Sequence, residues 1–223
     1  MAKENLMHDN CSNDEAIVAV NHADVVIMCM GLDATREGEG ADDFNSGKAG
    51  DKQDLDLPAS QLTLYEKIKA LGKPIIFVNI TGSCINLTDQ KENCDAIIQC
   101  FYPGAMGGLA LANIIYGKAC PSGRLPVTFY KSTEGIGDFT DYSMENRTYK
   151  FYKGTPVYEF GYGLSYSEIK ENWIDEKTVE LENAGKYDCD YSVLLFEYIP
   201  HKSLKDFKKV FLKAGEKKTV TFE

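Results

Sequence analysis

The sequence lacks any apolar run that approaches the roughly 20 residues of a membrane-spanning helix, so we expect no membrane partner. Residues 1–13 are polar and acidic, without the basic start and apolar core of a secretory signal. Positive charge is also scarce, because 24 Lys and Arg face 34 Asp and Glu, which gives a formal net charge of -10. That charge repels nucleic acid, whereas a neutral sugar is compatible with it.

Histidine is rare, and His8, His22 and His201 have no spacing suited to a metal site. The apolar segment 25–30 is not followed by the glycine-rich phosphate fingerprint of a nucleotide-binding fold, which argues against a nucleotide ligand. We therefore expect neither a metal nor a cofactor.

Seven cysteines are scattered along the chain rather than grouped as in a metal site. Cys29 lies in an apolar run and is predicted to be a small core residue. Cys84 and Cys94 are candidates for a disulfide if the compartment is oxidising. The sequence does not decide between an oxidising and a reducing compartment. Three Asn-x-Thr triplets fit the glycosylation pattern, and they begin at Asn79, Asn86 and Asn146.

The first two thirds of the chain alternate apolar runs with amphipathic segments. Residues 25–30, 75–80 and 96–100 are continuous apolar runs typical of strands buried on both faces. Helical spacing joins Leu62, Tyr65, Ile68 and Leu71 before Gly72, and a second helix is predicted over 109–116. This order predicts an α/β domain over residues 1–167, with a mostly parallel sheet and helices on both faces. Its last part, 121–167, is rich in Gly, Pro and Tyr and is predicted to be a long extended wrap.

The pattern changes after residue 167. Strands are predicted over 179–181, 191–196, 210–212 and 219–222, with turns at 183–186 and 214–217. A small antiparallel β-sandwich over 168–223 follows from these short strands. Its last strand has no closing turn, and the α/β segment begins near a strand, so we expect both domains to be incomplete in this chain.

A series of short motifs, in order, resembles the second and third domains of family 3 glycoside hydrolases, the β-glucosidases and β-xylosidases. The motifs are GLD at 31–33, EGEG at 37–40, GDK at 50–52, LPASQ at 57–61, GKPIIFVN at 72–79, YPGAMGG at 102–108, PSGRLPVT at 121–128, DYSM at 141–144, RTY at 147–149 and FGYGLSY at 160–166. KAGEKKTV at 213–220 is similar to the fibronectin-III-like domain of the same enzymes. The family implies a retaining, exo-acting hydrolase of terminal β-linked xylose or glucose.

The resemblance also implies that the two catalytic carboxylates lie on different domains. In the family the nucleophile is an aspartate on a preceding barrel domain, and such a barrel needs about 250 residues. We therefore expect the barrel to be a partner, on the same or a separate chain. The resemblance places the acid/base on the loop after the first strand, where Glu39 is favoured and Glu37 is the alternative. The GLD motif before that loop favours a β-xylosidase slightly.

Other residues of the resemblance carry weaker expectations. The family often has arginine where Lys52 stands, and lysine lacks the fixed fork of donors. Gly104 and Gly108 are interpreted as turn and packing positions rather than ligand contacts. Four tyrosines of the wrap are expected to pack against the neighbouring domain rather than to stack on sugar, namely Tyr142, Tyr149, Tyr162 and Tyr166.

Two other functions compete with a glycosidase. A carbohydrate-binding or structural module derived from such an enzyme would bind sugar without hydrolysis. An unrelated α/β ligand-binding protein with a β appendage is the third possibility. Hydrolysis that requires the barrel distinguishes the glycosidase from the other two.

Overall fold

The computed structural model describes residues 6–33, 37, 54–138 and 140–223, with side chains from residue 13 onward. It divides into two compact units, Met1–Gly104 with Phe129–Thr133, and Ala105–Thr128 with Glu134–Glu223. The domain boundary near residue 167 stays a prediction.

The first unit contains a three-stranded parallel sheet with helices between its strands. In chain order its elements are α1 (Leu6–Asn21), β1 (Val26–Gly31), α2 (Ala59–Lys69), β2 (Ile75–Ile80), α3 (Thr88–Asn93) and β3 (Ala96–Gln99). The strand order is β1-β2-β3, and the register joins Gly31 to Ile80 and Asn79 to Gln99. The predicted α/β class is confirmed.

The helix α2 follows from the spacing of its apolar residues. Tyr65 and Ile68 are buried on one face, and Pro58 immediately precedes the helix. Pro58 has no N–H to donate to the carbonyl four residues earlier, so the helix begins after it. Gly72 ends the segment with φ of 67°, and its N–H bonds to the carbonyl of Lys69 at 3.1 Å. The helix and its stop therefore agree with the prediction.

The prediction that β1 is buried on both faces is wrong. Val26, Met28 and Met30 are buried, but Ile27 is 47% exposed and Cys29 is exposed as well. Side chains alternate across a strand, so one face of β1 is covered while the other is not covered by the described residues. Cys29 is accordingly not a core residue.

A partly buried hydrogen-bond network joins α2 to α3. The hydroxyl of Tyr65, which is fully buried, donates to Oδ2 of Asp89 at 2.5 Å, and Lys69 donates to both oxygens of Asp89 at 3.0 Å. Burial and the bond to Asp89 raise the pKa of Tyr65. Partial burial acts to raise the pKa of Asp89, but the bonds from Tyr65 and Lys69 outweigh it, and that pKa is lowered.

The two cysteines of the candidate disulfide and two of the asparagines in glycosylation triplets lie in this unit. Cys84 and Cys94 are free thiols, so the candidate disulfide is not formed. Asn79 is fully buried in β2, which leaves no room for a glycan there in the folded chain. Asn86 accepts bonds from the N–H and hydroxyl of Thr88 at the start of α3, at 3.0 and 2.6 Å.

The second unit begins with two helices and ends with two antiparallel sheets. Its elements are α4 (Gly107–Ile115), α5 (Thr148–Phe151), β4 (Ile169–Trp173), β5 (Thr178–Asn183), β6 (Cys189–Glu197), β7 (Ser203–Leu212) and β8 (Lys217–Thr221). One sheet has the order β4-β5-β8, and β6 pairs with β7 in the other. The shared apolar core contains Val179, Leu181, Val193, Leu212, Val220 and Phe222. The predicted antiparallel β region is confirmed.

Two segments of the predicted wrap pair with each other. The N–H of Leu125 bonds to the carbonyl of Tyr162 at 2.8 Å, and the N–H of Gly161 bonds back to the carbonyl of Leu125 at 2.7 Å. A Cβ on Gly163 would overlap the carbonyl of Gly123. Only a glycine at this position allows the two backbones to approach so closely.

Gly104 lies before α4 and Gly108 lies within it. Gly104 has φ of 66°, so its interpretation as a turn position is confirmed. A Cβ on Gly104 or Gly108 would meet no heavy atom of the described residues within 4 Å. The part of the interpretation that expected close packing is therefore wrong at both positions. No helix in the described part of the chain is long and apolar enough to cross a bilayer.

Candidate functional site

The carboxyl ends of the three parallel strands bring three short segments together in the first unit. These segments follow Gly31, Ile80 and Gln99, which are the last residues of β1, β2 and β3. Because parallel strands end on the same edge of a sheet, ligand groups of α/β proteins gather there. Glu37, Ser83 and Tyr102 are supplied by these three segments.

Glu37 is hydrogen-bonded to the neighbouring segment by the backbone and the side chain of Ser83. Its Oε1 accepts the N–H of Ser83 at 2.9 Å and the hydroxyl of Ser83 at 2.7 Å. The N–H of Glu37 in turn bonds to the carbonyl of Asp33 at 3.0 Å. The loop after β1 is thereby fixed to the loop after β2 at this residue.

Tyr102 completes the contact from the third segment. Its ring lies against Gly82, beside the Glu37 carboxylate. Burial of the hydroxyl and, after it, the interaction with Glu37 raise the pKa of Tyr102. A Cβ on Gly82 would lie 2.5 Å from Oε2 of Glu37 and 2.5 Å from the Tyr102 ring. Gly82 thus leaves the space in which the other two side chains meet.

A polar network fixes the ends of β2 and β3 beside these loops. Nδ2 of Asn79 donates to Oε1 of Gln99 at 2.5 Å and to the hydroxyl of Thr81 at 3.2 Å. The Thr81 hydroxyl donates to the carbonyl of Ser83 at 2.8 Å. Oδ1 of Asn79 is buried with no hydrogen-bond partner among the described residues. The turn that presents Ser83 is therefore held from the strand side.

The start of the loop after β1 is fixed by Gln61 of α2. The side chain of Gln61 accepts the N–H of Gly31 at 2.9 Å and donates to its carbonyl at 2.8 Å. A Cβ on Gly31 would overlap the backbone of Ile80. Glycine is required where the chain leaves β1 towards Glu37.

The structure places only one of the two candidate carboxylates. Glu37 lies at the carboxyl edge and is partly buried, while Glu39, the favoured acid/base, lies outside the described residues. Lys52, Asp42, Asp43 and Asp51 also lie outside them. Asp54 and Asp56 are exposed, as expected for a solvated acidic face.

The four tyrosines of the wrap all lie in the second unit. Tyr149 stacks on Phe160 with ring centroids 4.2 Å apart and accepts the N–H of Leu204 at 3.0 Å. Tyr166 donates to the carbonyl of Ile114 at 2.7 Å, and Tyr162 lies 4.8 Å from Tyr158 between ring centroids. Tyr142 is 83% exposed. Three of the four pack within this unit.

Four residues of the site were not predicted as site residues, namely Ser83, Gly82, Tyr102 and Gln61. The available signal for the first three was position, since they follow predicted strands. Gln61 carried no such signal, because it lies on a helix far from the loop in sequence. The described residues contain no group of three or more His, Cys, Asp or Glu that could hold a metal ion.

Comparison with known proteins gives consistent matches. The family model described as "Glycosyl hydrolase family 3 C-terminal domain" matches residues 3–166. A xylan 1,4-beta-xylosidase of Xylanibacter ruminicola is 35% identical over 96% of this chain and 27% of its own length. A periplasmic beta-glucosidase of Salmonella typhimurium is 31% identical over 94% of this chain and 30% of its own.

Solved structures show the same likeness. A GH3 exo-beta-xylosidase in complex with a xylobiose aziridine probe matches with a TM-score of 0.78 and 28% identity, over 94% of this chain and 32% of that one. A GH3 beta-glucosidase of Bifidobacterium adolescentis matches with a TM-score of 0.76 and 29% identity, over 94% and 34%. The chain spans about a third or less of the length of these relatives. By its motifs, its fold and these matches, the chain belongs to glycosyl hydrolase family 3.

Proposed function

We propose that this chain supplies the acid/base carboxylate of a retaining β-glycosidase that removes terminal β-linked xylose or glucose from oligosaccharides. Glu39 is the acid/base in this proposal, and the nucleophile lies on a barrel domain that completes the site. Retention requires the two carboxyl groups to stand about 5–5.5 Å apart. Neither carboxylate alone breaks the bond, so the chain by itself is inactive.

The observation that carries the proposal is the position of Glu37. It lies at the carboxyl edge of the sheet, where it is bonded to Ser83 of the loop after β2 and lies beside the Tyr102 ring. Glu39 follows two residues later in the same loop, between Gly38 and Gly40. In open α/β sheets, ligand groups gather in the loops that follow the carboxyl ends of the strands, and the segment that contains both acids follows β1.

A general acid must be protonated before it acts, and burial or a neighbouring carboxylate raises its pKa to allow this. In the proposal the barrel provides both, because its surface covers the loop and its nucleophile is itself a carboxylate. This explains why activity needs two domains. The names of two relatives favour xylose, since a xylan 1,4-beta-xylosidase is 35% identical to this chain and a probable beta-D-xylosidase is 34% identical.

Hydrolysis of aryl β-xylosides and β-glucosides by the chain, with and without a family 3 barrel domain, tests the proposal. We expect no turnover without the barrel. With the barrel, Glu39→Gln is expected to lower kcat about 10²–10⁴-fold, the usual contribution of general acid–base catalysis. Glu92→Gln, on the exposed surface of α3, is the matched control. Turnover by the isolated chain, or full activity of Glu39→Gln, would show the proposal to be wrong.

A second candidate function, sugar binding without hydrolysis, is favoured by a groove of about 1080 Å³ in the second unit. Glu171 in this groove accepts the Trp173 indole N–H at 3.1 Å and the Tyr191 hydroxyl at 2.8 Å. Burial, then the charge of Glu171, raises the pKa of Tyr191 to about 12. Aromatic rings beside a carboxylate suit the apolar faces and hydroxyls of a sugar.

Calorimetric titration of the chain with xylo-oligosaccharides tests this alternative. Binding that is lost in Trp173→Ala but kept in Glu39→Gln would support a non-catalytic module. Absence of binding, together with barrel-dependent hydrolysis, would leave the glycosidase as the function.

A further inference from the structure

Two cysteines of the second unit, Cys120 and Cys189, share one cluster of side chains. Sγ of Cys120 lies 3.1 Å from Oγ of Ser165. Burial raises the pKa of the Cys189 thiol, Ser165 acts to lower it, and Cys120 acts to raise it further. Hydrogen bonds and charges shift a pKa in this way only from close range. Ser165 and the two thiols therefore lie beside one another.

The backbone segments that carry the two cysteines are held together by a separate contact. Cys120 immediately precedes the wrap, and Cys189 is the first residue of β6. The hydroxyl of Ser192 in β6 donates to the carbonyl of Ser122 in the wrap at 3.4 Å. This contact follows closely after both cysteines in sequence, so the two segments run next to each other where the thiols occur.

The two thiols differ in access and in mobility. Cys189 is 2% exposed, and its Sγ lies 3.8 Å from Nδ2 of Asn183. Asn183 is fully buried and also donates to the carbonyl of Tyr187 at 2.8 Å. Cys120 is only partly buried. A dissolved oxidant therefore reaches Cys120 more readily than Cys189.

We infer that Cys120 and Cys189 are a modification site, which a small-molecule disulfide such as oxidised glutathione converts into an intramolecular disulfide between the start of the wrap and β6. Both residues are free thiols in this structure. A disulfide forms without backbone movement only between cysteines that are neighbours in the fold. The link closes a loop of about 70 residues, and long loops give a disulfide a large stabilising effect. The inference does not depend on the proposed function.

The link forms by two successive thiol–disulfide exchanges. The thiolate of Cys120 attacks one sulfur of oxidised glutathione, which gives a mixed disulfide and releases one glutathione thiolate. The Cys189 thiol then loses its proton to solvent and attacks the Cys120 sulfur, which releases the second glutathione. Two cysteine thiols are thereby oxidised, and one glutathione disulfide is reduced to two thiols.

Peptide mapping after treatment with oxidised glutathione tests the site. Trypsin releases the peptides 119–124 and 187–202, and each contains a single cysteine. Digestion without reduction should yield these two peptides joined by a disulfide. The yield should be at least about tenfold higher for the folded chain than for the chain in concentrated urea, because folding raises the effective concentration of one thiol at the other.

Three variants and one further measurement serve as controls. Cys100→Ser removes another partly buried thiol and should leave the yield of the joined peptides unchanged. Cys120→Ser and Cys189→Ala should each abolish it. The midpoint of urea unfolding should rise on oxidation, because the link constrains the unfolded chain. This rise should be absent in Cys120→Ser.

Three results would overturn the inference. The first is recovery of 119–124 and 187–202 only as separate peptides, whether free or carrying glutathione. The second is an equal yield of joined peptides from the folded chain and from the chain in urea, which would show that the fold does not bring the thiols together. The third is an unfolding midpoint that does not rise on oxidation, which would show that the link is incompatible with the native packing.

Discussion

Ser83 donates two hydrogen bonds to a single oxygen of Glu37, from its backbone at 2.9 Å and from its hydroxyl at 2.7 Å. The two residues lie 46 positions apart in sequence. They belong to the loops after β1 and β2, so the contact fixes two loops of the carboxyl edge to each other.

Gly82→Ala is expected to displace Glu37 from Ser83. The new Cβ would lie 2.5 Å from both Oε2 of Glu37 and the ring of Tyr102, which is closer than non-bonded atoms approach. The Ser83 N–H, which bonds to Glu37 in the unchanged chain, should then exchange faster, and hydrogen exchange of the backbone amides measures this. Gly123→Ala is the control, since a Cβ there meets no described atom within 4 Å. An unchanged Ser83 amide in Gly82→Ala would contradict the steric argument.

Asp89→Asn is expected to lower the free energy of unfolding by about 1–2 kcal/mol at pH 7, because charge-assisted bonds to Tyr65 and Lys69 are weakened. The pKa of Asp89 is lowered from 3.8 in the folded chain. Its contribution is therefore complete above pH 3.8 and is lost as the pH falls through the lower folded value.

Thermal unfolding between pH 2 and 7 measures this dependence. The difference in Tm between the unchanged chain and Asp89→Asn should shrink below about pH 3.8. Glu92→Gln on the exposed face of the same helix should show no difference at any pH. A Tm difference for Asp89→Asn that stays constant from pH 7 to pH 2 would rule out the ionised bond network.

Gly163→Ala is expected to destabilise the second unit, because a Cβ there overlaps the Gly123 carbonyl. The backbone pairing of Leu125 with Gly161 and Tyr162 would have to open. We expect a loss of about 1–3 kcal/mol, the range for overpacking. Gly108→Ala in α4 has open space and should be neutral or stabilising by up to about 1 kcal/mol. Equal effects of the two substitutions in urea unfolding would contradict the contact.

Leu181→Ala tests the core of the β region. Leu181 is fully buried among Val179, Val193 and Leu212, so its truncation should cost about 2–5 kcal/mol. Leu164 is 73% exposed, and Leu164→Ala should change the free energy of unfolding by no more than about 0.5 kcal/mol. Urea unfolding followed by circular dichroism distinguishes them, and a small effect at Leu181 would mean that the two sheets do not share a core.

The sequence predicted elements whose apolar pattern is continuous or strictly periodic. β2 matches its prediction from Ile75 to Ile80, and α2 was found from Tyr65 and Ile68. β4, with the sequence IKENW, was missed because it is polar and mostly exposed, and its strand state follows from pairing with β5. The short helix α3, TDQKEN, was missed because it carries no apolar stripe.

The helix α1 was missed for a similar reason, since its first half is polar and carries no start signal that we recognised. In the site, the loop that contains Glu37 was predicted from the family resemblance and from its place after a strand. The partners Ser83 and Gly82 were not, because a contact across 46 residues leaves no local pattern. The exposure of Cys29 was missed because composition does not say which face of a strand is covered.

The central claim is that Glu39 donates the proton to the leaving group. The most direct test is whether the loss of activity in Glu39→Gln depends on how much the leaving group needs that proton. In the barrel-completed enzyme, kcat/KM of Glu39→Gln should be compared for xylobiose and for a dinitrophenyl β-xyloside. The dinitrophenolate leaves without a proton, so we predict a loss of about 10²–10⁴-fold for xylobiose and much less for the aryl substrate. Equal losses for both substrates, or none for xylobiose, would contradict the assignment.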